Sequence, residues 1–331
     1  EGLKTILEAT RNLDMVAAVG LPVRCGSKLY NCAAVIHKGE LLGLIPKTYL
    51  PNYGEFYEKR WFEPAPEEEY FCLTLCGQTT YLGRNQLFKC DELPELVIGV
   101  EICEDLWSPT PPSVTLAAHG ATLILNLSAS DEVVGKADYR RQLVTGQSAR
   151  LLCGYVYADA GEGESSTDLV FGGHNLIAEN GALLAERRFH TGLTASEIDV
   201  QRLAFERRRN TTFPAAGQER MDWSSFSLEP VNTKLTRYIS PNPFVPEDAG
   251  DRAERCNEIL KIAALGLTKR LEHTRAKTAV VGLSGGLDST LAILITAVAM
   301  KLLDRPASDI IAVTMPCFGT TDRTRDNAME L

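Results

Sequence analysis

The chain lacks any apolar stretch long enough to cross a bilayer. The longest, Leu291 to Met300, runs ten residues before Lys301 interrupts it, about half of the ~20 that a spanning helix needs, so no membrane partner is predicted. Positive charge is also in deficit. Lys and Arg total 34 against 43 Asp and Glu, for a net charge of -9, which excludes long-range attraction to nucleic acid or anionic lipid. Any phosphate site must therefore be local. The nine cysteines are odd in number, form no CxxC pair and have no histidine at metal-ligand spacing, which argues against a disulfide framework or structural metal and points to a reducing cytoplasm. Repeats and low-complexity tracts are absent. The first residue is Glu1 rather than Met, and nothing after it reads as a signal peptide. The natural start is expected upstream.

What is present is an ordinary globular composition, 44% hydrophobic and 23% charged over 331 residues, more than one hydrophobic core usually organises. Helical spacing of Leu3, Ile6, Leu7 and Leu13 opens the chain, and MVAAVGLP reads as a short buried strand. Lys38-Gly39 and Asn180-Gly181 each divide two apolar runs and predict hairpins. Between them, residues 95–103 and 121–130 read as buried strands on either side of a Pro-rich loop and a helix. Lys136 to Cys153 is the best amphipathic helix, with GYVYADA a further strand. These elements predict a mixed α/β layer structure over residues 1–212. A proline-rich, aperiodic stretch, 213–248, is predicted to be a linker. From 249 onward a helix, TAVVGL, SGGLDS, a second helix and IIAVTMP make a β-α-β unit.

GLSGGLDST follows a strand and opens a helix, so unpaired backbone N–H groups and the helix dipole face whatever lies above the turn, a setting that favours an anion. It has neither the Lys of a Walker loop nor GxGxxG spacing. SGGLDS resembles the PP-loop of ATP pyrophosphatases, enzymes that cleave ATP to AMP and pyrophosphate. That resemblance implies a Rossmann-like fold for 249–331, with ATP held at Gly282, Leu283, Ser284, Gly285, Gly286, Leu287, Asp288 and Ser289, Mg2+ at Asp288, and Thr314 and Met315 beside the adenosine. For the two glycines alone, a plain capped turn is the better reading, and the full six residues after TAVVGL reverse that preference; packing explains Met315 equally.

In ELVIGVEICEDLW a strand ends at Cys103, where a sulfur can be exposed as a nucleophile. By itself such a Cys is more often a small buried hydrophobe. Its context is Lys47-x-x-Leu50-Pro51, then Glu55-Phe56-x-Glu58-x-Arg60-x-Phe62, then Ile102-Cys103-Glu104-Asp105-x-Trp107. In order and spacing these resemble the nitrilase, or carbon-nitrogen hydrolase, superfamily. The resemblance implies an αββα sandwich for residues 1–212. Cys103 would be the nucleophile, Lys47 the ammonium that supports the tetrahedral intermediate, and Glu58, with Glu55 as the alternative, the second acid assisting Lys47. Tyr53, Ser130 and Lys136 match positions that contact glutamine, although the resembling group usually has Arg at 136. GEGESSTD, at 161–168, resembles a loop beside that site. The family's general-base Glu has no counterpart among these residues.

A nitrilase-type amidase joined to a PP-loop domain is similar to the glutamine-dependent NAD+ synthetase family, and MPCFGTTDRTRDNA at 315–328 fits it too. The resemblance implies amidation of nicotinic acid adenine dinucleotide with glutamine, ATP and Mg2+, in a homo-oligomer. With the base missing, residues 1–331 alone are expected to catalyse neither half-reaction well. Two other readings stay open: an amidase for another small amide with a regulatory nucleotide domain, and a non-catalytic nucleotide-binding module with Cys103 in its core.

Overall fold

The structure is a computed structural model that describes residues 1–67, 70–164, 169–214, 219–315 and 321–331. Residues 165–168 of the 161–168 loop and 316–320 of the 315–328 segment lie outside it. The chain divides into two units, Glu1–Arg237 and Tyr238–Leu331.

The first unit begins with helix α1 (Gly2–Thr10) and strands β1 (Val16–Cys25), β2 (Lys28–His37) and β3 (Glu40–Pro46). The β2–β3 turn has Lys38 and Gly39 at φ of 45° and 80°, the left-handed pair that a tight hairpin demands. With β4 (Phe71–Leu75) and β5 (Gln78–Leu82) these strands form a five-stranded sheet in the order β1-β2-β3-β5-β4. Strands β6 (Gln86–Cys90), β7 (Val97–Ile102), β8 (Leu123–Ser128), β9 (Gly154–Asp159), β10 (Asn175–Glu179), β11 (Ala182–Arg187) and β12 (Asp222–Phe226) form a seven-stranded sheet, β11-β10-β9-β8-β7-β6-β12.

The two sheets pack face to face. Ala33, Val35 and Ile45 of the first meet Phe88, Ile98, Val100, Ile102 and Phe226 of the second. Alternate residues of β2, namely Cys32, Ala34 and Ile36, turn outward to Leu7 of α1. Because β2 is buried on both faces it reads as an unbroken apolar run rather than an alternation. The seven-stranded sheet is covered on its outer face through α3 (Pro112–Ala118) and α4 (Lys136–Leu151), whose Leu116, Ala117, Val144 and Leu151 pack on Ile124 and Tyr155. A four-residue helix, α2 (Glu104–Trp107), precedes α3, and α5 (Val200–Arg209) follows β11. Helix, sheet, sheet and helix make the αββα sandwich.

Three expectations need correction. The first strand is neither short nor buried: β1 spans ten residues, most of them half-buried or exposed, because it is the edge of its sheet. Helix α4 does not owe its burial to an apolar stripe, since Arg140, Gln147 and Ser148 share the buried face with Val144 and Leu151. The proline-rich stretch 213–248 is not all linker. Its residues 222–226 are β12, paired in parallel with β6, and Arg237 forms ion pairs with the buried Glu179 at 2.8 Å. One strand's worth of alternating residues with Phe226 in the core was hidden by the prolines around it.

In the second unit, α6 (Ala249–Thr274) packs against α7 (Leu287–Leu302), and β13 (Ala279–Gly282) pairs in parallel with β14 (Ile310–Val313). Helix α8 (Asp322–Glu330) closes the chain. Strand, helix and parallel strand are the β-α-β unit expected. No helix among the described residues is long and apolar enough to cross a membrane.

Candidate active site

Strand β7 delivers Cys103 at its C-terminal end, between the buried Ile102 and the first turn of α2. The residue has φ 48° and ψ −103°, a conformation that a side chain other than glycine adopts only when its surroundings impose it. Two contacts do so. Its N–H donates to Asn126 Oδ1 at 3.0 Å, and the N–H of Ile102 donates to Asp105 Oδ2 at 2.9 Å. Asn126 is in turn held by Tyr155, whose hydroxyl donates to the fully buried carboxylate of Glu101. Burial raises the pKa of Glu101 despite the donors around it.

Strand β3 ends at Pro46, so Lys47 leaves the sheet beside this turn, 4% exposed. Its Nζ lies 2.5 Å from Glu58 Oε2, and Asn31 Nδ2 donates to the other Glu58 oxygen at 2.6 Å. Burial alone would push the Lys47 pKa down, but Cys103, Glu58 and Asp105 outweigh it and hold the value above the ordinary one. The lysine is therefore a fixed cation next to the thiol.

Lys47, Glu58 and Cys103 border one cavity of about 670 Å³, with Phe56, Trp61, Ser128 and Asp159 also on its wall. Asp159 accepts the N–H groups of Ser130 and Ala160 at 2.8 and 3.1 Å, and burial raises its pKa to about 6. The sequence-predicted glutamine contacts do not share this wall. The Tyr53 hydroxyl donates to Glu104 Oε1 at 2.5 Å and borders an adjoining groove with Trp107. Lys136 pairs with Asp131 and stands 5.7 Å from the Phe56 ring centre and 5.5 Å from that of Trp107. Ser130 is buried, its hydroxyl accepting from Arg140 at 3.0 Å.

In the second unit, Leu283 donates its N–H to Val313 O at 2.7 Å, so the loop starts where the parallel strands end. Gly285 has φ of 77°, and a Cβ there would collide with the carbonyl oxygen of Thr324. Glycine is therefore required on two counts. Gly286 caps α7, Leu287 and Asp288 begin it, and the Ser284 and Ser289 hydroxyls lie 3.3 Å apart. Gly285, Gly286, Leu287 and Thr290 border a cavity of about 610 Å³ with Arg323, Thr324 and Asn327 of α8. Thr314 and the exposed Met315 follow β14 and are not among the described residues bordering that cavity.

Sequence reasoning passed over Glu101, Asn126 and Asn31, and named Asp105 in the Cys103 motif without giving it a role. The signal for two of them was readable: Glu101 and Asn126 are polar residues inside the apolar runs VIGVEI and LILNLS, and a buried polar side chain is retained only where it is hydrogen-bonded.

The carbon-nitrogen hydrolase family matches residues 1–208, and the NAD synthase family matches residues 259–331. The glutamine-dependent NAD(+) synthetase of Mycobacterium tuberculosis is 41% identical over 342 aligned positions, covering 100% of this chain and 50% of that protein. The Mycobacterium leprae protein of the same name is 42% identical, covering 98% of this chain and 49% of its own length. The chain thus spans about half the length of the curated relatives it matches. Among solved structures, a carbon-nitrogen hydrolase from Helicobacter pylori G27 superposes with a TM-score of 0.52 at 17% identity, over 63% of this chain and 70% of that one, a likeness of fold.

Proposed function

We propose, from a chain that belongs to the carbon-nitrogen hydrolase family and carries an NAD synthase segment after it, that the protein amidates nicotinic acid adenine dinucleotide to NAD+ at the expense of ATP. The ammonia would come from glutamine. The observation that carries this reading is the meeting of Cys103, Lys47 and Glu58 on one cavity wall.

Cys103 Sγ attacks the side-chain amide carbon of glutamine. The carbonyl electrons move onto oxygen, where the Lys47 ammonium faces the developing charge. The C–N bond then breaks, the nitrogen leaves as ammonia carrying the proton that the thiol gave up, and a glutamyl thioester remains. Water cleaves the thioester to glutamate and restores the thiol. Glu58 already holds both Lys47 and Asn31, so its part is to place the ammonium rather than to take the thiol proton. We assign the general-base role to no residue of 1–331. Tyr53, which donates to Glu104, would approach the amino-acid end of glutamine together with Ser130 and with Lys136, which stands over the Trp107 ring.

Gly282 to Ser289 would hold the phosphates of ATP. The N–H groups opening α7 and the hydroxyls of Ser284, Ser289 and Thr290 suit an anion, and Gly285 lets backbone come close where no Cβ fits. Among the described residues no group of three or more His, Cys, Asp or Glu side chains could hold a metal ion, so Asp288, in the first turn of α7, would be the one protein carboxylate for Mg2+, which when bound would neutralise phosphate charge. Thr314 and Met315 would flank the adenosine. The nicotinate carboxylate would attack the α-phosphorus of ATP, pyrophosphate would leave as the adenylate forms, and ammonia would then displace AMP.

Two variants separate the halves. Cys103→Ala should lose glutamine-driven NAD+ formation and keep the ammonia-driven reaction, because only the ammonia source is removed. Gly285→Ala should lose both NAD+-forming reactions while glutamine hydrolysis persists. Glutamine-driven NAD+ formation by Cys103→Ala at the wild-type rate would refute the assignment.

A further inference from the structure

Asp105 stands where the two reactive segments meet. It is 1% exposed, and among the described residues its carboxylate accepts from backbone N–H groups. Oδ2 accepts the N–H of Ile102, the residue before the nucleophile, at 2.9 Å. Oδ1 accepts the N–H groups of Thr48 and Tyr49, the residues after Lys47, at 3.1 and 2.8 Å. One carboxylate thus ties the end of β7 to the end of β3 across the sandwich. The turn it holds is the strained one, with Cys103 at φ 48°, and strain of this kind persists only when the surroundings over-determine it.

We infer that Asp105 is the positioning residue that fixes Cys103 against Lys47, and that its ionised form is the working one. The inference rests on the glutaminase reading above. Three N–H donors match a carboxylate; a protonated acid would turn an O–H toward one of them and lose that bond. The charged groups facing Asp105 are Glu101 on β7, which disfavours its charge, and Lys47, which favours it. Burial is the largest influence, and together these raise its pKa from 3.8 to about 7. Alignment of the site therefore changes with pH close to neutrality.

Stability must move the other way. The folded-state pKa is raised, so the folded protein binds more protons than the unfolded chain between pH 3.8 and about 7, and stability falls as pH rises through that window. Turnover, by contrast, should rise through its upper end as the carboxylate forms. A residue that merely supported the fold would lower the midpoint without adding a step to kcat.

The experiment measures ammonia release from glutamine, and the thermal midpoint, from about pH 5 to about pH 8 in the intact wild-type protein and in Asp105→Asn. Asn offers one acceptor for Thr48 and Tyr49 but presents an NH2 to Ile102. We expect wild-type kcat to climb through a step near neutrality as the midpoint declines. In Asp105→Asn the step should vanish and kcat fall by about 10–100-fold, the loss typical of a small misplacement of reacting groups, with KM little changed. A variant with the wild-type pH step would overturn the inference. If the variant does not fold, a wild-type kcat without a step near neutrality overturns it equally. Absence of ammonia release from the wild type at every pH would instead sink the glutaminase reading on which the inference stands.

Discussion

Lys47 shows how a single residue acquires a role from its setting. A lysine on a surface is a mobile, hydrated cation; here burial is opposed by Cys103, Glu58 and Asp105, and the charge stays in place. Lys47→Met keeps the stem and removes the ammonium. Glutamine hydrolysis should slow by about 10²–10³-fold, the usual effect of deleting one donor to a developing oxyanion, while ammonia-driven NAD+ formation is unchanged. A variant hydrolysing glutamine within a few-fold of wild type would show that the ammonium does not face the reacting oxygen. At this scale the sequence was informative about which side chains come together, since Cys103, Lys47 and Glu58 each sit in a recognisable motif and meet on one wall. It gave no role to Asn31, or to Asp105 although that residue stands in the Cys103 motif, because their importance lies in which backbone or side-chain groups fold back onto them from distant positions.

Elements were legible where local chemistry decides them. The hairpins at Lys38-Gly39 and Asn180-Gly181 follow from left-handed φ values at both positions of each turn. Helix α4 was found for a reason that does not hold, because its inner face carries Arg140 rather than an apolar stripe; that guanidinium is fully buried and bonded to Ser130, Asp131, Glu132 and His174. Strand β12 went unseen because its partner β6 lies far off in sequence, and a parallel edge pairing has no local signature. Phe226 tests that strand. It is 3% exposed in the inter-sheet core, so Phe226→Ala should cost about 3–5 kcal/mol in chemical denaturation of the first unit. An unchanged denaturation midpoint would return residues 222–226 to the linker.

For the whole molecule, acidic composition and the absence of a long apolar run limited the possibilities without naming one. The order of motifs along the chain did the naming: an amidase constellation first, a phosphate loop second, each in its own compact unit. The division at 237 rather than near 212 reflects tertiary pairing by β12 and Arg237, which composition does not register. The central claim is that Cys103 is a glutamine-directed nucleophile. It is tested most directly by treating the intact protein with 6-diazo-5-oxo-norleucine, a glutamine-mimicking electrophile, and mapping the modified peptide by mass spectrometry. The account predicts a single adduct on Cys103, slowed by added glutamine and absent from Cys103→Ala. Labelling spread over exposed thiols such as Cys72 and Cys256, with Cys103 unmodified, would contradict it.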